Sequence, residues 1–205
     1  MTNSIYFIRH GQIHNPEKII YGRLPNFVLS QEGKTTIKKT AQFLKRLNIS
    51  KIISSPLLRT KQSASIISKE LDISNILESS FLLEFRSSFE GLPSKTLAET
   101  KFDYYFSKNR KENDETMAEI FKRMKQFTDE EMNKNSSENI AVVGHGDPIM
   151  ILLAGLAGLP FNLSSIRTKD YIKYGEVIKI SLRDSDYVIS KIFKLDNQIN
   201  KYVSI

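Results

Sequence analysis

Three short segments, Ser4 to Ile8, Lys51 to Ser54 and Asn139 to Val143, are rich in isoleucine and valine, and each is cut off by a polar or glycine-bearing loop. That is the pattern of buried parallel strands. Between them the apolar period lengthens. Ile37, Ala41, Leu44 and Leu47 recur at helical spacing, and so do Met117, Phe121 and Met124 in a stretch beginning at Asp114, ahead of the strand that contains Val142. Ser55-Pro56 and Asp147-Pro148 each place a capping side chain before a proline at a first helical position, so helices are predicted to open there, the second running through Leu156. Alternating strand and helix predicts an α/β fold with a mainly parallel, doubly wound sheet and helices on both faces. The tail differs: Ile178, Ile180 and Leu182 alternate with polar residues, Arg183 to Asp186 reads as a turn, and Tyr187 to Leu195 follows. This predicts an antiparallel C-terminal edge strand or hairpin.

No repeat, low-complexity tract or long linker divides residues 1–205, which read as a single domain. Periodicity fails only from 90 to 113, where Phe102, Tyr104, Tyr105 and Phe106 precede a charged run, Lys108 to Glu115. This segment reads as an insertion over the sheet edge, either a lid or a surface excursion with a small satellite core. With 40% hydrophobic and 26% charged residues among 205, disorder and fibrous architectures are excluded. Zero cysteines remove disulfides, thiol nucleophiles and thiolate-based zinc sites, in keeping with a cytoplasmic location. The N-terminus lacks an apolar signal core, and the longest apolar run, 149–161, falls short of the roughly 20 residues a membrane span needs, so no membrane partner is expected. Thirty basic against 23 acidic side chains give a net charge of +7, which favours anionic company: nucleic acid, a membrane surface or phosphorylated small molecules.

The chain has only three histidines, His10, His14 and His145. Two of them sit at the carboxyl ends of predicted strands, where open α/β sheets bind ligands. The first strand delivers Arg9-His10-Gly11, the second Ser54-Ser55-Pro56-Leu57-Leu58-Arg59, and the third Gly144-His145-Gly146-Asp147-Pro148. Two arginines and two histidines would converge on one sheet edge, with helix N-termini adding exposed amides. That collection suits a phosphate: arginine forks match its oxygens, and histidine can attack when neutral or donate when protonated. One site could use both states, one per histidine. Gly11 and Gly146 allow close backbone approach to a ligand. His14 is either a pocket contact or a plain loop residue.

The Arg9-His10-Gly11 triplet, the arginine in SSPLLRTKQSA, the LLE block and the late histidine in VVGHGDPI occur in this order from Ile5 to about Leu159. Together they resemble the histidine phosphatase superfamily, the phosphoglycerate mutase-like or histidine acid phosphatase group. The resemblance implies a three-layer α/β/α fold in which His10 attacks phosphorus and is transiently phosphorylated. Arg9, Arg59 and His145 would hold the phosphoryl oxygens, and Glu84 would serve as general acid, then base. No metal and no cofactor are implied, since cationic side chains can stabilise the transferred group. Asn15, Gly22 and Arg23 would approach the phosphoryl group or substrate. Two departures stand out. Phe85-Arg86-Ser87-Ser88-Phe89-Glu90-Gly91 is shortened against the family pattern, which leaves Glu90 as the alternative acid, and Pro25-Asn26 stands where many relatives place an aspartate.

The expected function is therefore hydrolysis of small phosphomonoesters through a phosphohistidine. Phosphoglycerate mutase-type transfer is the alternative, disfavoured by the short stretch between Glu84 and His145. Nucleic-acid binding has thin support, since the lysines are dispersed and no basic-aromatic module is present. A catalytically silent interaction protein is disfavoured by the full residue set. The expected partner is a phosphorylated small molecule, and the aromatic patch of the insertion could instead serve a homodimer.

Overall fold

In the computed structural model of the chain, which describes residues 4–97, 103–105, 110–134, 138–184 and 186–195, the strand β1 (Ser4–Arg9) is buried on both faces. Ile5 and Phe7 point to one side and Tyr6 and Ile8 to the other. A strand apolar on both faces needs cover on both. The elements that follow are α1 (Gln31–Leu44), β2 (Ile49–Ser54), α2 (Leu58–Leu71), β3 (Ile76–Glu78), α3 (Met117–Met132), β4 (Asn139–Gly144), α4 (Gly146–Leu156), β5 (Val177–Arg183) and β6 (Asp186–Phe193). Helices α1 and α2 bring Ile37, Ala41, Leu44, Ala64 and Ile67 to the Tyr6/Ile8 face. Helices α3 and α4 bring Ile120, Met124, Phe127, Ile149 and Leu152 to the Ile5/Phe7 face. Each large aliphatic or aromatic side chain so buried contributes about 1.5–3 kcal/mol.

The sheet runs in the order β3-β2-β4-β1-β5-β6, with β3, β2, β4 and β1 parallel and β5 and β6 joined to it by antiparallel pairing. This is the three-layer α/β/α class, with an antiparallel C-terminal hairpin. The three-residue strand β3, largely exposed, carries too little apolar pattern to be read from sequence.

Register decides where the chemistry lands. In β1–β4 pairing Arg9 lies opposite Gly144, and in β4–β2 pairing Val143 lies opposite Ser54. The residues that follow, His10, His145 and Ser55, therefore leave the sheet side by side. Backbone bonds lock the junction: His10 N–H donates to Gly144 O at 3.0 Å and Ser55 N–H to Val143 O at 3.0 Å.

Three helix starts differ from the sequence expectation. Helix α2 opens at Leu58, not after Ser55-Pro56, and has no side-chain cap; the Ser55 hydroxyl is engaged elsewhere. Helix α4 opens at Gly146 with His145 in the N-cap position, so Asp147 and Pro148 lie inside its first turn, and the Asp147 carboxylate accepts from side chains instead of capping. Helix α3 opens at Met117, where Thr116 and Glu119 form a capping box, while Asp114 stays in the preceding loop, held by Ser88 and the Lys111 amide. On α3 the buried stripe is Met117, Ile120, Met124 and Phe127, with Phe121 only partly covered, against Phe161. Leu47 lies in a 3₁₀ turn after α1 and is partly buried. Of the aromatics in the 90–113 segment, Phe102 and Phe106 lie outside the described residues, whereas Tyr104 and Tyr105 pack on Phe85. Among the described residues no helix is long and apolar enough to cross a membrane.

Candidate active site

His10 begins the loop after β1 and is 1% exposed. Its Nδ1 lies 2.7 Å from the Gly11 carbonyl oxygen. A carbonyl only accepts, so Nδ1 carries the ring proton and the lone pair sits on Nε2. Arg59, in the first turn of α2, donates Nε–H to that Nε2 at 3.3 Å, and its Nη2 donates to Gly22 O at 2.7 Å and to His145 Nδ1 at 3.2 Å. One buried guanidinium thus spans both histidines, with the Tyr21 ring 4.8 Å from its carbon. Arg9, at the end of β1, donates Nη1–H to Ile172 O at 2.9 Å and lies over the Tyr174 ring at 4.0 Å. Its Nε is buried with no hydrogen-bond partner among the described residues, a donor suited to an anionic oxygen.

Glu84 reaches the same place by a different route. After β3, the Ser79 amide donates to Ser54 O at 3.0 Å, folding residues 79–84 back over the strand ends. Glu84 Oε1 accepts from the Phe85 amide at 3.1 Å, and Oε2 lies 3.7 Å from His145 Nδ1. Burial, and then the charge of Asp147, raise the Glu84 carboxyl from 4.5 to about 7, against opposing pulls from Arg59, the Phe85 amide and Arg9. A carboxyl tuned there can give and take a proton near neutrality. Burial, reinforced by Arg59 and Arg9, holds His10 well below the usual imidazole range. His145 is depressed in the same way by burial, Arg59 and His10. Both rings are therefore neutral at pH 7, rather than one neutral and one charged.

The remaining sequence candidates hold the frame. Gly11 N–H donates to Ser63 Oγ at 3.1 Å, and a Cβ at Gly11 would lie 2.6 Å from Gly33 O, so glycine lets the loop pack on α1. At Gly146 a Cβ would meet the Tyr171 hydroxyl at 2.4 Å and the Arg9 guanidinium carbon at 3.1 Å. Gly22 adopts a φ of +34° and gives its carbonyl to Arg59. Asn15 clasps Ile19, donating to its carbonyl at 2.8 Å and accepting from its amide at 3.2 Å. The Arg23 side chain is engaged within the protein: Nε donates to Glu84 O at 2.6 Å and Nη2 to Glu115 Oε2 at 2.7 Å. Glu90 accepts the Arg23 amide at 2.9 Å, which leaves Glu84 as the carboxylate beside the histidines. His14 is exposed.

Several site residues were not singled out for function in the sequence. Ser55 Oγ lies 2.9 Å from His145 Nε2. Asp147 accepts from Tyr105 at 3.0 Å, Tyr171 at 2.5 Å and Arg167 at 2.8 Å. Arg123 joins Arg23 on Glu115, with Nε 2.8 Å from Oε1, and donates Nη1–H to Phe81 O at 2.6 Å. Isolated tyrosines and a glutamate in a loop carry no spacing signal that would reveal such a layer.

The family model described as histidine phosphatase superfamily (branch 1) matches residues 5–193. An uncharacterized protein of Mycobacterium tuberculosis is 37% identical over 87 residues, which span 42% of this chain and only 43% of that protein. A probable phosphoglycerate mutase, GpmB of Erwinia tasmaniensis, is 26% identical over 77% of this chain and 76% of its own length. Phosphoserine phosphatase 1 of Hydrogenobacter thermophilus is 26% identical over 76% of each. Among solved structures, Bacillus stearothermophilus YhfR superposes with a TM-score of 0.79 at 18% identity, over 92% of this chain and 96% of that one, a likeness of fold.

Proposed function

The chain belongs to the histidine phosphatase superfamily, and from that premise we propose that it hydrolyses small phosphomonoesters through a phosphohistidine on His10. The observation that carries this is the pairing of a lone pair on His10 Nε2, fixed by the Gly11 carbonyl, with a Glu84 carboxyl buried to a pKa of about 7. His10 Nε2 donates its electron pair to phosphorus as the ester P–O bond breaks. Glu84, protonated, gives its proton to the departing alkoxide. Arg9, Arg59 and His145 stabilise the charge on the transferred oxygens. Glu84, now a carboxylate, takes a proton from water as the hydroxide oxygen attacks phosphorus, the P–N bond breaks, and the lone pair returns to His10. Splitting one displacement into two lowers each barrier.

Kinship with a phosphoserine phosphatase and a probable phosphoglycerate mutase supports phosphorylated small molecules as the substrate class. Substrate choice falls to the 90–113 segment, whose Tyr104 and Tyr105 pack on Phe85 next to Glu84. The test is turnover of p-nitrophenyl phosphate together with trapping of an acid-labile phosphoenzyme. His10→Ala is expected to abolish both while the circular dichroism spectrum stays native. Interconversion of 2- and 3-phosphoglycerate without phosphate release would assign the chain to mutase chemistry instead.

A further inference from the structure

We propose that Ser55 is a positioning residue that sets the tautomer of His145, letting this histidine donate from Nδ1 to a phosphoryl oxygen while it stays neutral. The inference rests on the phosphatase reading of the site. His145 is fully buried, and its two ring nitrogens face partners of different kind. On the site side, Nδ1 lies 3.2 Å from Arg59 Nη2 and 3.7 Å from Glu84 Oε2. On the sheet side, Nε2 lies 2.9 Å from Ser55 Oγ. A guanidinium can only donate, so in this state Nδ1 accepts and the ring proton sits on Nε2, donated to the serine oxygen.

A phosphoryl oxygen can only accept. To hold one, Nδ1 must carry a proton, by one of two routes. The ring can become an imidazolium, but it is buried and faced by Arg59, Arg9, Arg123 and His10, all of which oppose a positive charge, with Glu84 the acid beside it. Or the ring can exchange tautomers, which leaves Nε2 as an acceptor in need of a donor. Ser55 meets that need, because a hydroxyl is both donor and acceptor and turns about one bond. Its backbone is pinned, the amide on Val143 O and the carbonyl taking hydroxyl protons from Ser54 and Thr60, each at 2.8 Å. Only the hydroxyl is left to rotate. Both states carry one ring proton and one hydroxyl proton; binding moves the ring proton from Nε2 to Nδ1 by exchange with water. A serine that capped α2 could not do this, and α2 begins three residues later, at Leu58.

The test is long-range ¹H–¹⁵N correlation of protein labelled at histidine, titrated with inorganic phosphate, with His14→Gln removing the exposed third ring from the spectrum. The expected result is a neutral His145 protonated at Nε2 without phosphate and at Nδ1 when saturated with it. An Nε2 proton retained at saturation, an Nδ1 proton already present in the free protein, or a doubly protonated ring would each overturn the switch. If the phosphoenzyme nevertheless forms, the phosphatase reading survives that failure. Absence of any response at His10 and His145 to phosphate, with no phosphoenzyme, would overturn both. Ser55→Ala is expected to lower kcat/KM about 10- to 100-fold, the loss of one strong hydrogen bond. Ser55→Thr, which restores the hydroxyl, should recover most of that and the tautomer exchange; an alanine variant with unchanged kcat/KM also overturns the proposal.

Discussion

Replacing Glu84 with glutamine should stabilise the fold while disabling the enzyme, and the stabilisation should depend on pH. The carboxyl is buried and its pKa is raised from 4.5 to about 7. Below pH 4.5 it is protonated in both folded and unfolded chains and costs nothing. Between 4.5 and 7 the folded state binds a proton that the unfolded state has released, so stability falls as pH rises through this window. Above pH 7 the folded protein carries the whole cost of an ionised buried acid, about 3 kcal/mol for a displacement of this size. Glutamine keeps the shape and the oxygen facing the Phe85 amide but never ionises. At pH 8 Glu84→Gln should therefore be more stable by up to about 3 kcal/mol, roughly 6–12 °C in Tm for a domain of this length, while at pH 4.5 the two proteins should melt together. The depressed histidines act in the opposite direction, losing stability as pH falls, but they are present in both proteins and cancel in the difference. The assay is thermal or urea unfolding of both proteins across pH 4.5 to 8. A difference that stays flat with pH would refute the assignment of Glu84 as a buried, proton-holding acid. In turnover the variant should lose about 10²- to 10⁴-fold.

Other consequences can be checked with the same protein. Because burial with Arg59 and Arg9 holds His10 well below the usual imidazole range, protonation of this proposed nucleophile should not limit kcat/KM until well under pH 6.5; an acid limb of His10 centred at pH 6.5 would contradict it. Glu115→Gln should destabilise the fold by about 3–5 kcal/mol, since it strips the shared anion from Arg23 and Arg123, and the freed positive charge beside the Glu84 carbonyl should shift the alkaline limb of activity to lower pH. Urea titration and a pH–rate profile read these two effects separately. Gly11→Ala should cost about 1–3 kcal/mol in urea unfolding, because its Cβ would press on the Gly33 carbonyl and the Ile37 side chain, and backbone cannot yield as a side-chain tip can.

The layers were legible in sequence because they rest on periodicity: Ile5 and Phe7 against Tyr6 and Ile8 demand a sheet covered on both faces, and Ile37, Ala41 and Leu44 supply one cover. The strand-end candidates Arg9, His10 and His145 were legible because a short apolar run ends at a chemically distinctive side chain, and Arg59 because it follows such a run, in the first turn of α2. Helix starts were misread at Ser55 and Asp147 for one reason. Both have the composition of a cap, yet both side chains are taken by longer-range partners, His145 for the serine and Tyr105, Tyr171 and Arg167 for the aspartate. Local propensity lost to tertiary hydrogen bonding. For Arg23 the resemblance implies an approach to the phosphoryl group or substrate, whereas in the structure its side chain is engaged by Glu115, far along the chain, and by the Glu84 carbonyl.

Each of the two expected caps acts on a candidate catalytic group, Ser55 on His145 by a hydrogen bond and Asp147 on Glu84 by its charge, and the proposed chemistry depends on their being free of the helix ends. Asp147 is the charge, second only to burial, that raises Glu84. Had it capped α4, its carboxylate would be spent on backbone amides instead of standing within a ring of two tyrosines and an arginine. Had Ser55 capped α2, His145 would have lost its partner on the sheet side. The same desolvation that raises Glu84 lowers His10 and His145, so one buried pocket keeps both rings neutral at pH 7 and holds the acid at the midpoint of its titration, the protonation pattern that the proposed proton transfer and nucleophilic attack require.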